Sequence, residues 1–257
     1  MREFIDAAVF KDIILCANAA LEQNRQLINE LNVFPVPDGD TGTNMSLTMG
    51  AAAAELSKKS FPTLSAAADC AASAMLRGAR GNSGVILSLL FRGLAKRLKG
   101  AEKADAKLYA AAMSDGVDAA YKAVMKPAEG TILTVSRLAA ARAAGCARED
   151  SSVERVLEAA IEEGQAALAD TVGGAATFAA YRRGCVTVNY SMNFLRPAWG
   201  SNRKIRCRAQ AVKLGRTLSV FGMSLTDDEG MEVASGNFTF YITGWMKSEE
   251  EKEPGAI

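Results

Sequence analysis

The hydrophobic pattern of this 257-residue chain changes its period once, near residue 184, and that change limits the folds open to it. Before it, apolar residues recur every three to four positions, which is typical of amphipathic helices. Examples are Ile5, Val9, Ile13 and Ala17, and then Leu64, Ala68, Ala72 and Met75. After it, apolar and polar residues alternate, which is typical of half-buried strands. The sequence therefore predicts an α+β chain, helical first and then an antiparallel sheet.

Four strands are predicted in the second part, beginning with residues 185–195. Strict alternation there predicts an apolar face made by Val186, Val188, Tyr190, Met192 and Phe194. The opposite face would carry Thr187, Asn189, Ser191 and Asn193. The other strands are predicted at 204–213, 216–226 and 232–243, with turns at 214–215 and 227–230. The simplest arrangement is a four-stranded meander after one helix, followed by a disordered charged tail at 247–257.

In the helical part, breaks are predicted at the acidic segment near residue 38, at 60–63, at Gly100 and at 127–130. These breaks also carry the residues best suited to chemistry. Helices joined by such loops are expected to form an α-helical barrel or bundle.

Composition excludes several classes of protein. With 30 basic and 29 acidic residues the net charge is +1, which does not favour a nucleic-acid or anionic-membrane partner. We expect no membrane span, because no apolar run reaches the ~18 residues that one needs, and no secretory leader. The absence of histidine excludes Ser-His-Asp and Cys-His catalysis and His-ligated zinc. Five cysteines without a CxxC pair predict buried, reduced thiols in a cytoplasmic protein.

An acidic turn is the strongest candidate for a functional site. Asp38 and Asp40 flank a single glycine, and Pro35 and Pro37 stiffen the approach to them. Carboxylates on a rigid turn suit Mg²⁺, which commonly takes one or two protein carboxylates and leaves its other positions to water and phosphate oxygens.

A helix is predicted directly after this turn, with Thr41, Thr43 and Asn44 as short polar residues at its amide end, where phosphate could bind. The same composition also suits an ordinary surface turn. An EF-hand is excluded: with Asp38 as loop position one, Thr43 stands where glycine is required and Met49 where the bidentate glutamate belongs.

Three segments in order resemble the DhaL (DAK2) family, most closely the domain found in bacterial fatty acid kinase A subunits. They are LNVFPVPDGDTGTNM at 31–45, RGARGNSGVILS at 77–88 and KPAEGTILTV at 126–135, and the resemblance covers about residues 1–165. It implies a helical Mg·ATP-binding domain that transfers a phosphoryl group to a fatty acid held by a separate binding protein.

The resemblance also implies roles for single residues. Asp38 and Asp40 would hold the magnesium ion, with Asn32 as a further oxygen ligand. Phosphate contacts would come from the helix start after the acidic turn, from the third segment and from a glycine-rich loop preceding a helix at Val85: Thr41, Thr43, Asn44, Gly81, Asn82, Ser83, Gly84 and Thr131. This loop is not a Walker A loop, since it lacks the Gly-Lys-Ser/Thr ending, and taken alone it would read as a plain turn between helices.

Residues 166–243 resemble a different family, the PaaI-type hotdog acyl-CoA thioesterases. The matching segments are ALADTVGGAA at 167–176, VTVNYSMNFLRPA at 186–198, GRT at 215–217 and ASGNF at 234–238. The resemblance implies that Asp170 is the catalytic base or nucleophile and that Thr187 orients the attacking water. The alternative for Asp170 is an ordinary solvent-facing helix carboxylate.

The chain resembles only part of each family's domain. The final helix of the first family is missing, as are the first strand and the His-Gly-Gly loop of the second, where this chain has Ile161, Glu162 and Glu163. Ser151 and Glu154 form a predicted capping box for one fused helix of about 30 residues, ~45 Å long. The missing first strand would leave an exposed sheet edge, which predicts a homodimer.

The predicted organisation is a DhaL-like domain at 1–165, a partial hotdog at 166–246 and a tail at 247–257. The predicted function is Mg·ATP-dependent phosphoryl transfer. Two alternatives stay open: an acyl-CoA thioesterase, and a non-catalytic binding module, with a chimeric reading frame as one origin. Expected partners are a fatty-acid-binding protein and an acyl chain or acyl-CoA.

Overall fold

The computed structural model describes residues 2–30, 38–125, 127, 131–150, 152–181, 185–196 and 205–243, apart from some side chains between Leu168 and Tyr181. The chain divides into two compact units, Met1–Gln165 and Ala166–Ile257. Asn32, Ser151 and the predicted charged tail lie outside the described residues.

The described residues form seven helices: α1 (Ala7–Glu30), α2 (Thr41–Ser57), α3 (Leu64–Gly78), α4 (Gly81–Arg97), α5 (Ala106–Ala123), α6 (Ile132–Glu149) and α7 (Val153–Tyr181). Two short strands, β1 (Phe4–Ile5) and β2 (Ala104–Asp105), pair antiparallel. The core of the first unit is rich in alanine, with a few large side chains such as Phe10, Leu56 and Met75 fully buried. Small residues bring backbones together, since a Cβ on Gly93 of α4 would lie 2.7 Å from the Cα of Gly116 in α5.

The N-terminal segment differs from the prediction. Ile5 was expected on a helix, but it lies in β1, fully buried and paired with Ala104. The helix begins only at Ala7, because the Asp6 carboxylate accepts a hydrogen bond from the Val9 N–H at 2.9 Å and so caps it. The carbonyl of Arg2 accepts the Val153 N–H at 3.1 Å, which ties the N-terminal segment to the start of α7.

Helix α7 is a single helix of 29 residues, and it passes through the division between the units at Gln165. At its start the Ser152 hydroxyl accepts the Arg155 N–H at 3.4 Å and so caps the helix. The capping box of Ser151 with Glu154 stays a prediction, because Ser151 lies outside the described residues. Ser152 is fixed in turn by Asp150, whose carboxylate accepts its N–H at 2.7 Å.

The second unit carries a four-stranded antiparallel sheet of β3 (Cys185–Phe194), β4 (Arg206–Leu214), β5 (Leu218–Thr226) and β6 (Glu232–Ile242). Its order is β3-β6-β5-β4, so the predicted four-stranded meander is wrong for β3, which pairs with β6. Strands β4, β5 and β6 do form a meander, because tight turns force them to be neighbours. Strands β3 and β4 are the two edges of this sheet.

A β-bulge in β3 overturns the predicted division of its two faces. Thr187 pairs with Phe240 while Asn189 pairs with Thr239, so Val188 is an extra residue and the alternation shifts there. Directly paired residues share a face, so Thr187 faces the same side as Tyr190, Met192 and Phe194. On this side lies the sheet core: Ala169 of α7, Phe221, Met223, Leu225, Val233, Ala234, Phe238 and Phe240.

The cysteines are less buried than predicted. Cys16 is exposed, the other four are partly buried, and none of the five, all of them among the described residues, forms a disulfide. Burial raises the pKa of the Cys207 thiol. No helix in the described part of the chain is long and apolar enough to cross a membrane.

Candidate functional site

The N-termini of α2 and α4 meet at a close contact between Asn44 and Gly81. The Asn44 amide lies where a side chain at position 81 would stand, and Gly81 has a left-handed φ of +57°. One turn further, Thr48 holds the same junction: its hydroxyl accepts the Arg80 N–H at 3.3 Å and donates to the Asn44 carbonyl at 2.7 Å. A Cβ on Gly84 would collide with that hydroxyl. The two glycines therefore allow one helix start to pack against the other.

These two helix starts also differ from the others in capping. Asp40 and Arg80 are the N-cap residues of α2 and α4, and neither makes a side-chain capping hydrogen bond. The remaining five helices among the described residues are each capped by a side chain: Asp6, Thr63, Asp105, Thr131 and Ser152. The first-turn N–H groups of α4, at 81–83, are left without a capping side chain. In α2, one first-turn N–H, that of Thr43, is bound by the Asn29 side chain of α1. The other first-turn N–H groups of these two adjacent helix ends can receive an anion.

The acidic turn leads directly into this junction. Gly39 adopts φ +65° between Asp38 and Asp40, and both carboxylate residues are exposed. Asp40 immediately precedes α2, so its carboxylate stands at the helix amide end without capping it. The turn therefore places two negative charges beside two helix amide ends, which is the arrangement expected where a cation bridges protein and phosphate.

Seven of the eight predicted phosphate-binding residues fall into two groups, and Thr131 lies apart from them. Thr41, Thr43 and Asn44 form the first turn of α2, and Gly81, Asn82, Ser83 and Gly84 form the first turn of α4. The glycine-rich segment was predicted as a loop before a helix starting at Val85, and that boundary is wrong by one turn. Thr131 is the N-cap of α6, accepting the Leu133 N–H at 3.3 Å. The roles of all eight residues toward a nucleotide stay predictions, as does that of Asn32 as a magnesium ligand.

The donor set fits magnesium better than a metal held by protein alone. The described residues contain no group of three or more cysteine, aspartate or glutamate side chains that could hold a metal ion. Mg²⁺ needs no such group, because it usually keeps several waters and binds through one or two carboxylates plus substrate phosphates. Asp38 and Asp40 supply two carboxylates beside the two helix ends.

Two residues at this site were missed by sequence reasoning. Asn29 of α1 binds Thr43 with both arms of its amide, at 2.9 and 3.0 Å, and Thr48 joins α2 to the start of α4. Neither stands in a recognisable motif. Thr48 follows Asn44 by one turn, and this spacing could have suggested that the two residues share a helix face. Asn29 is a polar residue near the end of a long helix, and such a position does not by itself indicate a functional role.

The second unit brings Asp170 and Thr187 together. The Thr187 hydroxyl donates to the Asp170 carboxylate at 2.7 Å, and the bulge in β3 is what turns Thr187 toward α7. Asp170 is half-buried next to Ala169, which packs in the sheet core. Further along the same face, Tyr190 stacks on Phe238 with ring centroids 5.1 Å apart. A carboxylate held by a hydroxyl at the edge of an apolar core can bind or activate a water molecule.

The segment that replaces the missing loop is helical. Ile161, Glu162 and Glu163 lie within α7, and their N–H groups are inside a regular helix. Such backbone donors are committed to helix hydrogen bonds and are not available to polarise a carbonyl oxygen.

Comparison with known families finds two domain matches along the chain. Residues 35–181 match the DAK2 domain family and residues 165–234 match the thioesterase superfamily. The two matches overlap only in α7.

Among curated protein sequences, the chain is 45% identical over 164 residues to protein YloV of Bacillus subtilis, covering 64% of this chain and 30% of that protein. It is 43% identical over 167 residues to an uncharacterized Staphylococcus haemolyticus protein, covering 65% and 30%. The chain thus spans less than a third of the length of these relatives.

Two solved structures are each similar to about a third of this chain. One is a hypothetical thioesterase of Streptococcus pneumoniae with coenzyme A, at 25% identity over 33% of this chain and 64% of that one, with a TM-score of 0.31. The other is the Streptococcus mutans protein smu.793 bound to acetyl CoA, at 28% identity over 31% and 63%, with a TM-score of 0.29.

Proposed function

Because the chain belongs to the DAK2 domain family, we propose that its helical unit binds Mg·ATP and serves in phosphoryl transfer, as in fatty acid kinases. The observation that carries the proposal is the junction of α2 and α4 at Asn44 and Gly81, beside Asp38 and Asp40. Two helix amide ends supply partial positive charge and N–H donors for phosphate oxygens.

Under this proposal Asp38 and Asp40 hold magnesium, with Asn32 as a third oxygen ligand. The bound ion would neutralise charge on the phosphates. The first-turn N–H groups of α4 bind phosphate oxygens, which the absence of a side chain at Gly81 permits. Catalysis then consists of positioning and charge stabilisation, because phosphoryl transfer asks for little covalent work from the protein.

The acceptor is proposed to be a fatty acid delivered by a separate binding protein, in the cytoplasm. The family resemblance supports this setting, as does the absence of disulfides among the five cysteines, which all lie in the described part of the chain.

Isothermal titration of the full chain with Mg·ATP tests the nucleotide site. Wild type is expected to bind, and Asp38→Ala and Asp40→Ala to weaken binding by about tenfold or more, since each removes a charged ligand. Asp105→Ala is the matched control, because Asp105 is an N-cap aspartate of the same unit that binds the Leu108 N–H at 2.7 Å. Equal affinity in all four proteins would show that the metal assignment is wrong.

A second candidate is acyl-CoA hydrolysis, and the hydrogen bond between Thr187 and Asp170 favours it. We expect weak or absent turnover, because residues 161–163 are helical and offer no donor for the thioester carbonyl. The assay is hydrolysis of a panel of acyl-CoA esters by wild type, Asp170→Asn and Thr187→Val. Robust turnover that both substitutions abolish would instead make this unit a thioesterase. Nucleotide binding without transfer or hydrolysis would leave the non-catalytic binding module.

A further inference from the structure

Asn29, in the last turn of α1, makes two hydrogen bonds to one residue of α2. Its amide oxygen accepts the Thr43 N–H at 3.0 Å, and its amide nitrogen donates to the Thr43 hydroxyl oxygen at 2.9 Å. Thr43 is the third residue of α2, so Asn29 satisfies from a neighbouring helix an N–H that a cap residue would otherwise bind.

The direction of both bonds follows from chemistry. The backbone nitrogen of Thr43 can only donate, so the arm of Asn29 that faces it must be the oxygen Oδ1. The other arm is then the Nδ2 amine, which can only donate, so the Thr43 Oγ1 must accept from it. The hydroxyl proton of Thr43 therefore points away from Asn29. Within the part of the chain that the structure describes, this hydroxyl donates no hydrogen bond.

Packing holds this arrangement in place. Gly42 lies against the Arg25 carbonyl, so closely that a side chain there would collide with it. A Cβ on Gly39 would stand 3.8 Å from the Asn29 carbonyl. The acidic turn and the first turn of α2 thus pack against the last two turns of α1.

We propose that Asn29 is a positioning residue of the nucleotide site, which orients the Thr43 hydroxyl as a hydrogen-bond donor to a phosphate oxygen. This rests on the proposed Mg·ATP binding. Asparagine suits the role because it combines one acceptor and one donor at this length. In Asn29→Asp, one carboxylate oxygen still accepts the Thr43 N–H, but the other now attracts the hydroxyl proton and turns it away from the phosphate.

The test is a double-mutant cycle in Mg·ATP affinity, with the full chain as wild type, Asn29→Asp, Thr43→Val and the double variant. Each single variant is expected to bind about tenfold more weakly or worse, since a bond to a charged phosphate is lost. The double variant is expected to bind no more weakly than Thr43→Val. Melting temperatures are measured in parallel, and that of Asn29→Asp should stay close to wild type because the Thr43 N–H keeps its acceptor.

The added negative charge needs its own control. Gln26→Glu introduces the same charge about one turn earlier on α1, where the Gln26 amide donates to the Glu30 carboxylate at 3.2 Å, and it should leave the affinity unchanged. If Asn29→Asp weakens the Thr43→Val background as much as wild type, or binds as wild type does, the positioning role is overturned while nucleotide binding stands. A wild-type chain that fails to bind Mg·ATP overturns both.

Discussion

Gly81 and Gly100 have similar left-handed backbone angles, φ +57° and +80°, but their surroundings differ. A side chain at Gly100 would meet nothing within 4 Å, whereas one at Gly81 would displace the Asn44 amide. Gly100→Ala is expected to cost about 1–2 kcal/mol of unfolding free energy, the price of a left-handed alanine. Gly81→Ala should cost about 1–3 kcal/mol more, because overpacking adds to the backbone strain.

Urea denaturation of both variants measures this difference. Gly81→Ala should also weaken Mg·ATP binding, whereas Gly100→Ala should not. Equal stabilities for the two variants would show that the contact between Asn44 and Gly81 is not tight.

Tyr109 makes the stability of the helical unit depend on pH. Burial raises the pKa of Tyr109 to about 12 from its ordinary value of 10.0, because the phenolate cannot be solvated inside the core. The unfolded chain therefore loses this proton at a lower pH than the folded one. The stability contribution of Tyr109 is intact below pH 10 and is lost as the pH rises toward about 12.

The slope expected from this one group is about 1.4 kcal/mol per pH unit at most. Denaturant midpoints of wild type and Tyr109→Phe, compared at about pH 9 and about pH 11, isolate it from the other titrating groups. The phenylalanine variant should lose less stability over that interval. Parallel losses in both proteins would contradict the burial effect.

At the scale of elements, α2 and α5 both begin after an aspartate, but only one of the two carboxylates caps its helix. Asp105 accepts the Leu108 N–H at 2.7 Å, whereas Asp40 makes no capping hydrogen bond. Asp105→Ala is therefore expected to destabilise the chain by about 0.5–1 kcal/mol more than Asp40→Ala. Denaturation with urea is the measurement. A larger loss for Asp40→Ala would mean that Asp40 serves the helix and not a ligand.

Helix α7 and the bulge in β3 together bring Asp170 and Thr187 into contact. Helix α7 presents Asp170 toward the sheet, and the bulge turns Thr187 to meet it. A regular β3 would place Thr187 on the opposite face, so this pair depends on one inserted residue, Val188.

At the scale of the whole molecule, we expect the chain to form a homodimer through the β3 edge of its sheet. Strand β3 has β6 on one side and, among the described residues, no strand on the other. Its Val186 and Val188 side chains are 55% and 58% exposed. Val186 is in register with Tyr241, which pairs with Leu218, so exposed apolar residues continue across the outer face. An uncovered apolar edge of this kind favours association.

Light scattering at micromolar concentration measures the oligomeric state. Wild type is expected to be a dimer, and Val186→Lys with Val188→Lys a monomer with nearly unchanged stability, because both side chains are exposed. Leu47→Lys, on the exposed side of α2, is the matched control and should remain dimeric. A monomeric wild type would refute this proposal.

Much of this architecture followed from local pattern. The change from helical to alternating period located the sheet, and the predicted strand at 232–243 differs from β6 by a single residue. The acidic turn and the glycine-rich segment were both recognised as candidate sites. Periodicity and turn residues act within a few positions along the chain, so they can be read without knowing what packs where.

Tertiary structure alone decided the pairing of β3 with β6, the bulge at Val188, and the partnership of Asn29 with Thr43. It also removed Ile5 from a helix, because pairing with Ala104 buries it in a strand. Each of these depends on residues far apart in the chain, whose contact is settled by packing and by the need to satisfy buried polar groups. The sequence by itself determined the kinds of element and the residues with chemistry, while packing determined which of those residues meet.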